Sequence, residues 1–288
     1  MSQTIVEKLR EGLEAFSVTE RRVAHRLLVE YPVAGLQSAS DLARAVGVSA
    51  PSVLRLVARL GFASYADFQR GLRGELVAQL ASPLAKQPLL RSRGKPARHS
   101  AQDEFAEAVA QNLHETFANL PATEFSAVVK LLADARLRIH LIGGRFTDAL
   151  ALYLSVQLRI LRSGVSHLQE QESNWHDQLL DMGKRDVLVV YDIRRYQPSL
   201  LRLAQAAAER QVRIVLMTDQ WLSPIARVAT HVLPARVAVP SVWDSSTALM
   251  ALSEALLAEV SRQGWEVSKQ RMRELEGMRE RLDGGKGG

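Results

Sequence analysis

Five residues on one short stretch have the types and spacing to grip a polyanion. Ser49, Pro51, Ser52, Arg55 and Arg59 fall on the outer face of an expected helix. Its inner positions, Val53, Leu56, Val57 and Leu60, recur at i, i+3, i+4 and i+7. Arginine can bond guanine bidentately, so Arg55 is the expected base reader. Ser49 and Ser52 are expected to donate to phosphate, and Arg59 to make a backbone contact. Elsewhere reactive groups are sparse. The seven histidines form no i, i+4 pair and no His-Glu-x-x-His, and cysteine is absent, so no metal site is expected. The chain has no Gly-x-Ser-x-Gly elbow and no phosphate-loop lysine motif. Asn174-Trp175-His176-Asp177 sets a histidine beside an aspartate, but sequence neighbours rarely orient each other productively, and it reads as a solvated helix start. The four tryptophans are too far apart to assert an aromatic platform. No catalytic residue and no cofactor are expected.

The polyanion residues need a frame, and the sequence supplies one. Ser38 is placed to cap a short helix, with Asp41 three residues later, and Leu42, Ala43 and Val46 form its apolar face. Gly47 supplies a left-handed turn, Val48 plugs the core, and Ser49 is expected to cap the next helix. Pro51 falls in the first turn, where its missing N–H costs little. An upstream helix, capped by Ser17 with Glu20, buries Val23, Leu27 and Leu28. A helical hairpin in an unrelated bundle is the alternative. The small residue, glycine turn, capping serine and basic outer face in register favour a helix-turn-helix, whose second helix enters the major groove. This domain is expected over residues 1–80.

Between Glu75 and Asp103 there is no acidic residue, while Lys86, Arg91, Arg93, Lys95 and Arg98 are basic and three prolines break any period. Residues 81–104 therefore read as a basic linker and tether, with phosphate contact as a second role. Phe105, Val109, Leu113, Phe117 and Leu120 then recur at helical spacing. Apolar runs at Leu137–Ile142, Val187–Tyr191, Val212–Met217 and His231–Leu233 alternate with helical patterns at Asp148–Leu161, Pro198–Arg210 and Pro224–Val228. That alternation implies a parallel sheet with helices on both faces. A last helix is expected from Ser245 to Val260, closing a domain over residues 105–265. Residues 266–288 read as a charged helix and a glycine-rich, disordered tail.

The 288 residues suffice for two cores, and 47% are hydrophobic. No run approaches a membrane span, and the start lacks the pattern of a secretory signal. With no cysteine, the expectation is a soluble cytoplasmic protein. A formal charge of +6, with arginine outnumbering lysine, favours polyanion partners.

The segments Ser17-x-x-Glu20-Arg21-Arg22-Val23-Ala24, Asp41-Leu42-Ala43-x-x-x-Gly47-Val48-Ser49 and Arg55-Leu56-x-x-Arg59-Leu60-Gly61-Phe62-x-x-Tyr65-x-x-Phe68 resemble the RpiR/MurR family of bacterial regulators. The resemblance implies an α-helical helix-turn-helix domain followed by an α/β sugar-isomerase-type (SIS) domain, a five-stranded parallel sheet sandwiched by helices. It further implies a homodimer or homotetramer that binds palindromic operator DNA and answers to a phosphorylated sugar.

Two loops depart from that family. Its first loop usually reads Gly-x-Gly-x-Ser, and here Gly143-Gly144-Arg145-Phe146-Thr147 puts arginine at the second glycine. Its second usually reads Ser-x-Ser-Gly-x-Thr, and the stretch matched to it is Tyr191-Asp192-Ile193-Arg194-Arg195-Tyr196. The phosphosugar assignment is therefore not carried over. In one reading Arg194 or Arg195, alone or with Arg145, grips a small anionic, carbohydrate-derived effector, flanked by Tyr191 and Tyr196. In the other, Asp192 pairs with a neighbouring arginine and the cleft is closed or used for oligomer contact. Gly143, Thr147 and Ser245 complete the expected effector set; the alternative reading of Thr147, Ser245 and Ser246 is as helix caps. The rivals to a ligand-controlled regulator are a sugar-phosphate isomerase-like enzyme and a regulator whose SIS domain only oligomerises.

Overall fold

The computed structural model describes residues 3–80, 84, 86, 100–168 and 172–283, and the chain divides into two compact units, Met1–Pro88 and Leu89–Gly288. Most of the expected linker and the tail 284–288 lie outside the described residues.

The first unit is all helical: α1 Ile5–Gly12, α2 Val18–Val29, α3 Val33–Leu36, α4 Ala39–Val46, α5 Ala50–Arg59 and α6 Tyr65–Leu80. Capping boxes start α1 (Thr4 with Glu7) and α2 (Ser17 with Glu20), each satisfying two N-terminal donors reciprocally. One core of Ile5, Leu9, Val23, Leu27, Leu42, Val53, Leu56, Phe68 and Leu72 holds the helices together. Burying each large side chain contributes roughly 1.5–3 kcal/mol. The Leu60–Phe68 signature is structural: Phe68 packs edge-on against Phe62 at 5.5 Å, and the Tyr65 hydroxyl donates to the Gln37 carbonyl at 3.0 Å.

The second unit opens with α7 Ala101–Ala118 and α8 Ala122–Ala133. It continues β1 Arg138–Gly143, α9 Asp148–Leu161, β2 Val165–His167, α10 Glu172–Leu180, β3 Asp186–Asp192, α11 Pro198–Glu209 and β4 Arg213–Asp219. A single 3₁₀ turn, Pro224–Arg227, β5 His231–Ala235, α12 Thr247–Gln263 and α13 Trp265–Asp283 complete it. The five strands are all parallel in the order β2-β1-β3-β4-β5. Every residue of β3, the central strand, is buried, as helices on both faces require.

Several expectations change here. β2 has only three half-buried residues at the sheet edge, too few to give an apolar run. The helix expected at Pro224–Val228 is one 3₁₀ turn, capped by the Ser223 hydroxyl. On α7 the buried residues are Asn112 and Thr116: Asn112 Nδ2 donates to the Ala238 carbonyl at 2.9 Å, and Thr116 Oγ1 accepts the Arg236 N–H at 2.9 Å. Phe105 and Phe117 each stay 42% exposed. The charged α13 is docked on α9, with Ser268 Oγ donating to the Leu161 carbonyl and Arg271 Nε to that of Arg159.

Candidate functional site

The first candidate surface is the outer face of α5. Ser38 caps α4 by accepting the Asp41 N–H at 3.1 Å, and Gly47 ends it at φ 70°, a left-handed conformation glycine adopts without strain. Ala43 is buried at the crossing of α4 and α5, where a larger side chain would force the helices apart. Ser49 precedes α5 but makes no capping bond; its hydroxyl meets that of Ser52 at 3.0 Å. Ser52 is buried rather than outward-facing, and Arg55 Nη2 donates to its Oγ at 3.0 Å. A chain of hydrogen bonds therefore orients exposed Arg55 at the helix start, beside exposed Pro51. Arg59 is engaged inside the unit. It donates to Glu20 at 3.0 Å and to the Ala15 carbonyl at 3.1 Å, and lies over the Phe16 ring.

The second candidate is a cleft in the SIS-like unit. The sheet order reverses between β1 and β3, and an open parallel sheet leaves a crevice at the carboxyl ends of its strands at such a point. The loop after β1 and the loop after β3 diverge there around a cleft of about 610 Å³. Arg145, Phe146, Thr147, Asp192, Arg194, Arg195, Gln197, Trp243 and Asp244 are among its lining residues.

Each loop is held by its own hydrogen bonds. The Gly143 N–H donates to Asp148 Oδ1 at 2.9 Å, and a Cβ at Gly143 would lie 2.4 Å from the Asp148 nitrogen, so only glycine lets the loop turn onto α9. Thr147 Oγ1 accepts the Gly144 N–H at 2.9 Å and donates to the Tyr191 carbonyl at 2.7 Å. Its proton is therefore spent on the loop. In the second loop, Asp192 accepts the Gln197 N–H at 3.2 Å and the Ser223 hydroxyl at 2.5 Å. Burial pushes its carboxyl up to about 6, a shift that these two bonds oppose and the nearby Asp219 reinforces. Burial likewise pushes Asp219 up to about 6, against donation from the Arg194 N–H, the Tyr196 hydroxyl and the Trp221 N–H.

The neighbouring arginines divide their work. Arg194 is buried, its Nη2 2.9 Å from Asp244 and its guanidinium 4.3 Å from the centre of the Trp221 ring. Arg195 is exposed, with its guanidinium carbon 5.9 Å from the Phe146 ring centre and 6.0 Å from that of Trp243. Arg145, next to Phe146 on the loop after β1, has its guanidinium carbon 5.2 Å from that ring's centre. Arg195 also carries φ 64°, a left-handed backbone, so the position suited to glycine is 195, one beyond that matched from sequence.

The cleft thus brings together Arg145, Thr147, Arg194 and Arg195 of the expected set. Gly143 shapes the loop from outside the lining. Ser245 hydrogen-bonds Thr247, and Ser246 lines the cleft in its place. Tyr191 is fully buried against Ser253 and Tyr196 donates to Asp219, so neither flanks the arginines as expected. Asp192 does not pair with either arginine; Asp244 pairs with Arg194 instead. The aromatic walls, Phe146 and Trp243, meet edge-on at 5.9 Å across 97 positions of chain, and no local spacing announces that pairing. Among the described residues no cluster of histidine or carboxylate side chains could hold a metal ion, and no helix is long and apolar enough to cross a membrane.

Comparison with known proteins places both units. Residues 3–79 match the model of the helix-turn-helix domain, rpiR family, and residues 131–259 match that of the SIS domain. The chain is 22% identical over 239 residues to an uncharacterized HTH-type transcriptional regulator of Haemophilus influenzae, covering 81% of this chain and 80% of the relative. The sugar isomerase domain of an RpiR transcription factor from Sphaerobacter thermophilus superposes with a TM-score of 0.58 at 26% identity, over 62% of this chain and 99% of that one. The Vibrio vulnificus NanR protein, solved in complex with ManNAc-6P, shares the fold over 96% of this chain and 98% of its own, with a TM-score of 0.56 and 20% identity.

Proposed function

This chain belongs to the RpiR family of DNA-binding transcription regulators, and we propose that its SIS domain senses a small carbohydrate-derived anion in the cleft between Arg145 and Arg195. One observation carries this: two arginines from different loops converge on a preformed cleft at the reversal point of the sheet. Guanidinium stays charged at every physiological pH and offers a fork of donors matched to an oxyanion. NanR of Vibrio vulnificus, solved with a phosphorylated sugar, supports a carbohydrate-derived ligand for the same domain here.

Operator contact falls to the start of α5, to Ser49, Pro51 and Arg55, with exposed Arg55 as base reader and buried Ser52 as the acceptor that aims it, while Arg59 ties α5 to α2. The protein works in the cytoplasm as a homodimer or homotetramer on a palindromic operator, because two-fold symmetric readers need matched half-sites. A sensing rather than catalytic role is supported by Asp192. Both its oxygens are engaged, by the Gln197 N–H and the Ser223 hydroxyl, which suits a brace better than an acid/base group.

The test is a panel of sugar phosphates and sugar acids screened by thermal shift, followed by operator binding with and without each hit. A hit that stabilises the protein and changes operator affinity is expected, and its effect should vanish in Arg195→Ala. A ligand that still acts through Arg145→Ala and Arg195→Ala with unchanged affinity would place the sensor elsewhere.

A further inference from the structure

From the cleft's charge and its spent donors we infer a narrower ligand class: a hydroxylated ring monocarboxylate of the sugar-acid type, in preference to a phosphate ester. This rests on the cleft being the effector site proposed above.

Several of the groups that could cradle a phosphate are already committed. An anion usually gathers at a helix N-terminus, where free N–H groups converge. At the start of α11 the Gln197 N–H is taken by the Asp192 carboxylate, and Pro198 has no N–H to give. In the facing loop, Thr147 has spent its hydroxyl proton on the Tyr191 carbonyl, and Gly143 and Gly144 give their N–H groups to Asp148 and Thr147. An acidic side chain thus stands where a phosphate would dock.

Charge points the same way. The lining holds three guanidiniums, Arg145, Arg194 and Arg195, against two carboxylates, Asp192 and Asp244. Arg194 is neutralised locally by Asp244 at 2.9 Å. With Asp192 ionised, the lining is left with one net positive charge, which matches a monoanion. A phosphate monoester carries close to two negative charges at neutral pH, more than that one positive charge offsets, and the Asp192 carboxylate repels the excess.

The remaining surfaces fit the rest of such a ligand. Phe146 and Trp243 are 59% and 54% exposed and offer aromatic surface beside Arg195, against which the C–H face of a ring can pack. The carboxylate of Asp244 and the amide of Gln197 supply acceptors for ring hydroxyls.

The experiment is calorimetric titration of the full-length protein with glucuronate, galacturonate and quinate against glucose 6-phosphate and galactose 6-phosphate. At least one carboxylate is expected to bind roughly tenfold or more tightly than either ester. Arg145→Ala and Arg195→Ala should each weaken it about tenfold or more, the loss of a charge-assisted contact. Asp192→Asn, checked for folding by its thermal transition, should narrow the preference by strengthening ester binding. Tighter binding of an ester to the wild type would overturn the inference while leaving the cleft as the effector site. Binding of no probe by protein that still holds DNA would remove the effector site and this inference together.

Discussion

Arg194 and Arg195 are adjacent in sequence and opposite in role: Arg194 is buried against Asp244 and stacked on Trp221, while Arg195 faces the cleft along the Phe146–Trp243 wall. Substitution should separate them. Arg194→Ala removes the guanidinium 2.9 Å from Asp244 in a largely buried setting, and breaking such a pair costs about 3–5 kcal/mol. Thermal denaturation should show that loss. Arg195→Ala should keep the melting transition within the range of ordinary surface changes, about 0.5 kcal/mol, while abolishing the ligand response. Equal stability losses for the two variants would refute the division.

On α5, Arg55→Ala should lower operator affinity by about 1–3 kcal/mol and relax preference at one base pair per half-site. Ser52→Ala removes the acceptor 3.0 Å from Arg55 and should cost a smaller part of that affinity, about 0.5–1.5 kcal/mol, with the same base affected. Fluorescence anisotropy on single-substituted operators measures both. An Arg55→Ala protein with full sequence discrimination would mean that another residue reads the base.

Arg59 tests the difference between outward-facing in sequence and outward-facing in space. Its bond to Glu20, which is nearly buried, ties α5 to the start of α2. Arg59→Ala should therefore lower the stability of the first unit, by about 1 kcal/mol after solvent screening of the half-exposed arginine. The salt slope of DNA binding should stay as in the wild type. A slope reduced by about one would instead mark Arg59 as a phosphate contact.

The two units differ in how much the chain announces. Caps, the Gly47 turn and the 3.6-residue period around Val53–Leu60 are local, and local chemistry fixes α2, α4 and α5. The inward turn of Ser52 and the capture of Arg59 depend on contacts 3 and 39 residues away, the second beyond any helical period. In the SIS unit, branched apolar runs reveal four strands, and β2 escapes because an edge strand of three residues needs little apolar surface. Arg145, Arg194 and Arg195 stand out by replacing expected small residues. Phe146, Trp243 and Asp244 do not, because only the sheet topology brings those loops together. The tyrosines failed as walls for a simple reason: Tyr191 lies within β3, whose residues are all buried.

Self-association is expected to run through α7. This helix buries Asn112 and Thr116 and leaves Phe105 and Phe117 exposed, an arrangement that wastes apolar surface in a monomer. The double substitution Phe105→Asp with Phe117→Asp should weaken self-association by at least about a hundredfold, since burying each ring contributes up to about 3 kcal/mol. Sedimentation velocity reads the shift directly. Affinity for a palindromic operator should fall with it, while affinity for an isolated half-site stays unchanged. A variant that sediments as the wild type would move the interface elsewhere.

Lowering the pH should stabilise the SIS unit and change its ligand preference together. Burial raises Asp192 and Asp219 from the model-compound value of 3.8 to about 6. The folded state therefore binds protons more tightly than the unfolded chain between those values, and stability must rise as pH falls through that window. The gain is on the order of 1–3 kcal/mol per group, reduced by coupling between them. Glu20, Glu115 and Asp186 are shifted the other way, below the ordinary carboxylate range, so their loss of stability begins only at lower pH. Melting temperature should climb from pH 7.5 to pH 5.5, and Asp192→Asn should flatten that climb. The same protonation removes the negative charge facing the cleft, so phosphate esters should gain affinity over the same range and carboxylates should gain less. A melting temperature that falls steadily below pH 7 in the wild type, with no response to Asp192→Asn, would show that Asp192 is ionised without strain and that the cleft's charge does not depend on it.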